Sequence, residues 1–326
     1  MLVGVGALTV GLRDPVVAAR AAAPSAIAPL DSESLTALGN PGWFPGPALE
    51  GGTTRDMAPS VVRVEGAESG SGVVVRDDGI VLTSAELVGN QPDVEVTFED
   101  GTTATGTNLG TDAVTNVAVI DLPGDGFAPA RLVTPDALAA GDTVVCTGID
   151  TDGDFSTVYG QVASPRTQFT PATGDPIDAL VEIVPQEGIA TELQGRAVVD
   201  GQGAVLALTT RFGDGAYYAT PIDVAAKVAD DMLETGTAQH SWVGIFGDDA
   251  PGGGVAIDRI DADGPAAELL QVDDVIVEMD GEQVGDMSTL VGMLQLHHPG
   301  DEVDLTYERD GQPVEATVRL APLPVG

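Results

Sequence analysis

The feature that most constrains the fold is a series of short alternating apolar segments, which runs from Ser60 to about Thr210 between Asp-Gly, Gly-Thr and Gly-Asp turns. Examples are "SVVRVEG", "SGVVVRDDGIVLTS", "DVEVTFEDGTTATG", "NVAVIDL" and "RAVVDGQGAVLALTT". A period of two places apolar side chains on one face of a strand, and turns at this regular spacing are typical of β-barrels and β-sandwiches. This part of the chain is therefore predicted to be mainly β.

The first helical periodicity comes late, in "PIDVAAKVADDMLETG", where Gly236 is the predicted helix end. A smaller unit follows it. Its pattern predicts strands at "GVAIDRI" and "DVIVEMDG", a short helix at "GPAAELL", a longer helix at "DMSTLVGMLQLHH", and a hairpin that turns at Asp310 and Gly311. The second unit is therefore predicted to be small and α+β.

At 326 residues the chain is long enough for two domains. We divide it into residues 1–23, 24–58, 59–237 and 238–322. The first segment, which begins "MLVGVGALTVGL", has about a dozen apolar residues, as a signal peptide does, and small residues that suit cleavage follow. The end of a membrane anchor and a retained cytoplasmic segment are the alternatives. The second segment is a linker rich in Pro, Gly, Ser and Thr.

Charge and cysteine content exclude several classes of function. The chain has 13 Lys+Arg against 51 Asp+Glu, a formal charge of −38, which would repel a nucleic acid. The single cysteine, Cys146, excludes an intrachain disulfide and a cysteine-rich metal site. The acidic stretch "DTDGDF" lacks the glycine and glutamate spacing of a calcium loop and indicates a surface turn. No metal site and no cofactor is predicted.

Several ordered segments together resemble the HtrA family of exported trypsin-like serine proteases. They are "GSGVVVRDDGIVLTSAELV", "GTDAVTNVAVIDL", "GDTVVCTGI", "YYATPIDVAAKVADDMLETG", "WVGIFG" and "GPAAELLQVDDVIVEMDG", and they extend over roughly residues 58–322. The resemblance implies a chymotrypsin/trypsin-like double β-barrel over 59–237, followed by a small α+β PDZ domain over 238–322.

The resemblance also locates the positions of a catalytic triad, which needs a serine nucleophile, a histidine base and an orienting aspartate. In this chain "LTSAE" places Glu86 at the histidine position, "GTDAVTNVAV" places Asn116 at the aspartate position, and "TELQGR" places Gln194 at the serine position. The chain's histidines are all at or beyond the start of the second domain: His240, His297 and His298. The triad is therefore predicted to be degenerate.

The oxyanion loop departs from the family pattern as well. Gly195 keeps the glycine that follows the nucleophile position, but Arg196 replaces the second glycine with a bulky side chain. We expect Arg196 to disturb the backbone N–H groups that would hold an oxyanion. The alignment here can slip by a residue or two, in which case Thr191 is the only hydroxyl nearby.

In the second domain the resemblance implies a peptide-binding groove. Its carboxylate-binding loop would be "WVGI", and the facing wall would come from the helix at "DMSTLVGMLQLHH". The expected groove residues are Trp242, Val243, Gly244, Ile245, Met287, Leu290, Val291 and Leu294. A closed or unused groove is the alternative.

The resulting hypothesis is a pseudoprotease, exported or membrane-anchored at the cell envelope, that binds protein C-termini or unfolded segments as a scaffold or regulator. One alternative is an active endopeptidase with a misaligned nucleophile, and another is a structural subunit that modulates an active HtrA relative. A homo-trimer, assembled partly through Trp43 and Phe44, or a mixed oligomer with a relative is the expected assembly.

Overall fold

The computed structural model describes residues 56–135, 138–150, 152–170, 176–186 and 194–324. The predictions for the N-terminal segment, for Thr191 and for Trp43 and Phe44 lie outside the described residues. The described chain is mainly β, as predicted, with two closed barrels followed by a smaller sheet. No helix within the described ranges is long and apolar enough to cross a bilayer.

The first barrel has six antiparallel strands in the order β1-β2-β3-β6-β5-β4, and pairing of β1 with β4 closes it. Apolar residues such as Val62, Val96 and Ile120 are fully buried inside it, as the alternating pattern predicts. The strands are β1 (Val61–Glu65), β2 (Ser69–Val74), β3 (Ile80–Ser84), β4 (Asp93–Phe98), β5 (Thr103–Asp112) and β6 (Val117–Asp121). A short helix, α1 (Ala85–Val88), follows β3 directly.

The second barrel repeats this architecture in the order β10-β11-β12-β9-β8-β7, and pairing of β7 with β10 closes it. Cys146 is buried in its core. The strands are β7 (Thr143–Ile149), β8 (Phe155–Phe169), β9 (Ile177–Pro185), β10 (Ala197–Val199), β11 (Val205–Gly213) and β12 (Ala216–Pro221).

Helix α2 (Ile222–Thr235) packs over the seam between the two barrels. One hydrophobic cluster joins Leu82 of the first barrel, Leu208 of the second and Val228 of the helix. The helix ends at Gly236, which has φ of +84° and donates its N–H to the carbonyl of Met232. This left-handed glycine cap confirms the predicted helix and its end.

The third unit is a sheet in the order β14-β15-β16-β18-β19, with β17 paired to β16 and one helix, α3 (Met287–Gln295). The predicted hairpin is present, with φ of +54° at Asp310 and +72° at Gly311. The strands are β13 (Ser241–Trp242), β14 (Ile245–Asp249), β15 (Val255–Ile260), β16 (Val275–Met279), β17 (Glu282–Gln283), β18 (Glu302–Arg309), β19 (Gln312–Arg319) and β20 (Ala321–Pro322). Strand β13, at the entry of the unit, pairs with β20 at its exit.

One predicted element of this unit is wrong. The segment "GPAAELL" forms successive turns rather than a helix. The N–H of Leu270 bonds to the carbonyl of Ala266, but those of Ala267 and Leu269 make the shorter three-residue contacts to Gly264 and Ala266. The segment is too short for a regular helical ladder, which needs several successive four-residue bonds.

Candidate functional site

The expected triad positions lie where the two barrels meet, and the first of them follows β3. Thr83 and Ser84 at the end of β3 are fully buried. The hydroxyl of Thr83 donates to the carbonyl of Ser71 over 2.6 Å, and that of Ser84 donates to the carbonyl of Thr210 over 3.2 Å. These bonds fix the strand end, so that Glu86, in the first turn of α1, projects its carboxylate toward the second barrel.

Glu86 and Gln194 are in direct contact. Nε2 of Gln194 donates to Oε2 of Glu86 over 2.9 Å. The other carboxylate oxygen of Glu86 pairs with the guanidinium of Arg211, on β11. One carboxylate therefore holds an amide and a cation that both come from the second barrel.

Asn116 makes a different set of contacts. It lies in the turn before β6 with φ of +57°, and it is buried. Its Nδ2 donates to the carbonyl of Thr210 over 2.8 Å, and its own carbonyl accepts from the N–H of Ala85 over 2.9 Å. Asn116 thus ties the start of α1 to β11, and its neutral amide brings no charge to the cluster.

Gly195 occupies a position that only glycine fits. Its φ is +75°, and a Cβ there would lie 1.8 Å from the carbonyl oxygen of Ser71. Its N–H donates to the carbonyl of Thr209 over 2.6 Å, and Gln194 accepts from the N–H of Ser71 over 3.0 Å. The segment is therefore pinned against β2 and β11.

Arg196 is accommodated by burial. Its side chain is 2% exposed, its Nη1 donates to the carbonyl of Ser156 over 3.2 Å, and its Cγ packs where a side chain at Gly148 would otherwise stand. Its backbone is not in the left-handed region, so this position does not itself need the freedom of glycine. The preceding residues of the expected oxyanion loop, 187–193, lie outside the described residues.

The site offers a paired carboxylate and no imidazole. The sequence contains no histidine before His240, so the barrels cannot supply the usual base. Glu86 is occupied by Arg211 and Gln194, and Gln194 has no nucleophilic atom. Arg211 was not among the residues expected from the sequence. It could be found only from the barrel closure that brings β11 beside α1.

In the third unit, the loop "WVGI" has the geometry of an anion-binding turn. Gly244 has φ of +88°, and a Cβ there would lie 2.8 Å from the Cα of Gly264. The carbonyls of Val243 and Gly244 accept from the N–H groups of Ala266 and Asp261. Within the described part of the chain, the N–H groups of Val243 and Gly244 have no backbone acceptor, which leaves them for a ligand.

Strand β14 continues from this loop and forms an edge of the sheet, paired only with β15. Helix α3 lies beside it, because the N–H of Met287 donates to Oδ1 of Asp249 over 2.8 Å. Ile245, Leu290 and Leu294 share one buried cluster, with Met287 partly buried against it. Trp242 and Val291 are half-buried. The structure therefore brings the loop and the helix to the same side of β14.

Aromatic and cationic side chains cover the outer face at the start of β14. Trp242 and Phe246 make an edge-on ring contact with centroids 6.4 Å apart. The guanidinium carbon of Arg259 lies 3.4 Å from the centroid of the Phe246 ring. This is a cation–π contact in an exposed place, because Phe246 is 39% exposed.

Two histidines connect the third unit to buried aspartates of the barrels. His240 Nε2 lies 2.9 Å from Oδ1 of Asp112 at the end of β5, and Thr115 donates to Oδ2 of the same carboxylate. Burial raises the pKa of Asp112, but the hydrogen bond and charge of His240 and the hydrogen bonds from Thr115 outweigh it and hold the pKa below its ordinary value. The chain just before β13 is thereby fixed to the loop that carries Asn116.

Asp231 of α2 is a second junction. Its Oδ2 accepts from Nζ of Lys227 and from the N–H of Gln239, each over 2.9 Å, and its Oδ1 lies 2.8 Å from Nε2 of His298. The aspartate is buried. A single carboxylate thus joins α2, the segment that connects it to β13, and His298, three residues beyond the end of α3.

Comparison with known proteins agrees with this architecture. Residues 70–208 match the trypsin-like peptidase domain family, and residues 227–320 match the PDZ domain family. A probable periplasmic DegP-like serine endoprotease of Halomonas elongata is 30% identical over 277 residues, which are 78% of this chain and 56% of that relative. The chain therefore combines a trypsin-like peptidase region with a PDZ region and is similar to DegP-like proteases. It spans little more than half the length of the DegP-like relatives it matches.

Other similar proteins extend the comparison. The putative serine protease HhoB of Synechocystis sp. is 25% identical over 279 residues, covering 78% of this chain and 67% of that protein. The solved structure of the HtrA-type protease AlgW with a tripeptide aligns with a TM-score of 0.67 at 21% identity, over 86% of this chain and 99% of AlgW. A serine endoprotease from Yersinia pestis aligns at 0.58 and 21% identity, over 86% of this chain and 99% of that chain. At these identities, the solved structures show the fold.

Proposed function

We propose that this chain is a pseudoprotease of the HtrA/DegP family, with a trypsin-like domain over 59–237 and a PDZ domain over 238–322. In this proposal Glu86, Asn116 and Gln194 are the degenerate triad. The observation that carries it is the pairing of Glu86 with both Gln194 and Arg211. A carboxylate already engaged by a guanidinium and an amide, with no imidazole in either barrel, cannot activate a serine that is also missing.

The first experiment is a protease assay on the purified chain. We expect no cleavage of unfolded casein and no fluorophosphonate adduct by intact mass, with an active HtrA relative as the positive control. An adduct that maps to a serine or threonine of the barrels would contradict the proposal. It would favour the alternative of an active endopeptidase, which is what the family relatives are named.

A restoration series tests why activity is missing. The triple variant Glu86→His, Asn116→Asp, Gln194→Ser should remain nearly inactive, because Arg211 would lie beside the new imidazole and disfavour the imidazolium that proton transfer creates. Buried Arg196 would also remain in the segment next to the nucleophile. Adding Arg211→Ala and Arg196→Gly should raise activity above that of the triple variant. Strong casein cleavage by the triple variant alone would show that only the triad side chains were lost.

We propose that the PDZ domain binds protein C-termini or unfolded segments at the edge of β14. Support comes from the free N–H groups of Val243 and Gly244 and from the unpaired edge of the strand. AlgW structures that align with this chain contain bound peptides. A fluorescent peptide that ends in valine should bind, and its C-terminal amide should bind at least tenfold more weakly, because the loop would hold a carboxylate. Equal binding of the two would argue against this site.

Location and assembly complete the proposal. We propose that the protein is exported or membrane-anchored and acts at the cell envelope, consistent with relatives named periplasmic. Cell fractionation would test this, and recovery in the cytosol would contradict it.

We also propose a homo-trimer or a mixed oligomer. Light scattering of the purified chain distinguishes these from a monomer, and copurification of an active relative would favour the alternative role as a modulating subunit.

A further inference from the structure

The two ends of the PDZ groove differ in charge, and the strand direction determines which part of a ligand meets each end. A ligand C-terminus held by Val243 and Gly244 starts beside the first residue of β14. The ligand must then run antiparallel to β14 as it extends along the free edge. At about 3.4 Å per residue, the side chains three to five residues before the C-terminus reach Asp248 and Asp249.

This upstream end of the groove is acidic. Asp248 and Asp249 are exposed at the end of β14. Asp249 accepts the N–H of Met287, and Asp286, the N-cap of α3, accepts the N–H of Thr289 over 2.7 Å. Both bonds use backbone donors of one helix end, so the carboxylates of Asp249 and Asp286 converge there. The partial positive charge of the helix N-terminus stabilises these carboxylates but is too small to neutralise them. Arg166 of the second barrel lines the same cavity as Asp286, so Asp248 and Asp249 carry the argument for a basic ligand.

The carboxylate end of the groove has the opposite character. It presents the N–H groups of Val243 and Gly244 and, on its outer face, the guanidinium of Arg259 over Phe246. Cations are rare in this domain: between Ser241 and Pro324 the sequence has 18 acidic residues against three arginines and no lysine. One of those arginines, Arg309, is bound by both carboxylate oxygens of Asp274.

We infer that the groove selects C-termini that end in an apolar residue and carry lysine or arginine three to five residues before it. This inference rests on the proposed peptide-binding function and names its ligand class. The apolar end would approach Ile245, Leu290 and Leu294, and the basic residues would pair with Asp248 and Asp249. Exposed ion pairs of this kind change affinity by about fivefold or less each and weaken as salt rises.

The test uses three fluorescent decapeptides that share a C-terminal valine and differ only at the third to fifth residues before that valine, which are neutral, lysine or glutamate. Fluorescence anisotropy at 20 mM and 500 mM salt gives their affinities for the full chain. We expect the lysine peptide to bind about tenfold tighter than the glutamate peptide at low salt, with the difference reduced at high salt. Asp248→Asn should reduce this preference severalfold.

A matched control separates a local effect from the overall negative charge of the protein. Asp310→Asn removes the same charge at the β18–β19 turn, away from the groove, and should leave the preference nearly unchanged. Equal effects of the two variants, or equal binding of the lysine and glutamate peptides, would overturn the inference. Failure of the neutral peptide to bind would instead overturn the proposed peptide-binding function.

Discussion

Nε2 of Gln194 donates to Oε2 of Glu86 over 2.9 Å, and this contact joins the two barrels at the two positions proposed to replace the catalytic histidine and serine. Glu86 comes from the helical turn after β3, and Gln194 immediately precedes β10. The backbone next to Gln194 is tightly packed, because Gly195 lies directly against the carbonyl of Ser71. Under the proposed function, the pair would keep its place in the fold while its chemistry differs.

We expect the contact to contribute little to stability. The side chain of Glu86 is 39% exposed and that of Arg211 is 19% exposed, and solvent-accessible pairs of this kind are worth about 1 kcal/mol or less. Glu86→Ala should therefore lower the free energy of unfolding by about 1 kcal/mol or less in urea denaturation. Arg196→Ala, which removes a buried side chain, should cost about 2–4 kcal/mol. A larger effect of Glu86→Ala than of Arg196→Ala would contradict this ranking.

The pair of Asp112 and His240 predicts a pH dependence. The pKa of Asp112 is held below its ordinary value of 3.8. A lowered folded pKa gives stability that is present above the unfolded value and is lost as the pH falls through the folded value. The free energy of unfolding should therefore fall more steeply below about pH 4 for the wild type than for Asp112→Asn.

The fluorescence of Trp242, two residues from His240, can follow this transition. Asp310→Asn, which removes an exposed aspartate on the β18–β19 hairpin, serves as the control. Parallel pH curves for the wild type and Asp112→Asn would contradict the assigned role of the buried carboxylate.

Asp231 is expected to be the more important junction for domain attachment. Asp231→Ala would leave Lys227, whose side chain is 11% exposed, without its carboxylate. Loss of one partner of a buried pair costs about 3 kcal/mol or more. His298→Ala should cost under about 1 kcal/mol, because that side chain is 51% exposed. Limited proteolysis between residues 236 and 241 should accelerate in Asp231→Ala and change little in His298→Ala. Equal cleavage rates in the two variants would argue against this junction.

Cys146 should be unreactive in the folded protein. Burial raises its pKa to about 12, although the charge of Arg196 partly opposes the shift. A thiol reagent needs the thiolate, which is scarce at pH 8 for such a group. Ellman's reagent should therefore label the native chain at pH 8 far more slowly than the urea-unfolded chain. Rapid labelling of the native protein would show that the second barrel opens frequently.

Much of the fold could be predicted because its signals are local. The alternating strands, the helix that ends at Gly236 and the Asp310-Gly311 hairpin each follow from period and turn chemistry over a few residues. The helix predicted at "GPAAELL" was wrong because the composition of this segment favours a helix, whereas the segment is too short to form one. Asp273 adopts φ of +74°, a left-handed conformation that is uncommon for residues other than glycine and that no local pattern predicted.

The contacts of the candidate site were harder to predict, because they join residues far apart in the chain. Arg211 meets Glu86 only after both barrels close, and Asp112 meets His240 only after the PDZ domain is placed. Neither pair has a spacing that sequence periodicity could report. The interpretation of residues 86, 116 and 194 as a degenerate triad rests on the resemblance to the family pattern and stays a prediction.

The pairing of β13 with β20 also has a mechanical consequence. Ser241 lies opposite Pro322 and Trp242 opposite Ala321, so the chain enters and leaves the PDZ domain at the same end of a two-residue ribbon. Tension applied between the barrels and the residues beyond Pro322 would pull the two strands apart from that end. The backbone pairs would therefore break one at a time rather than together. The ribbon would yield at low force while the larger sheet, which such a pull does not load directly, keeps its shape.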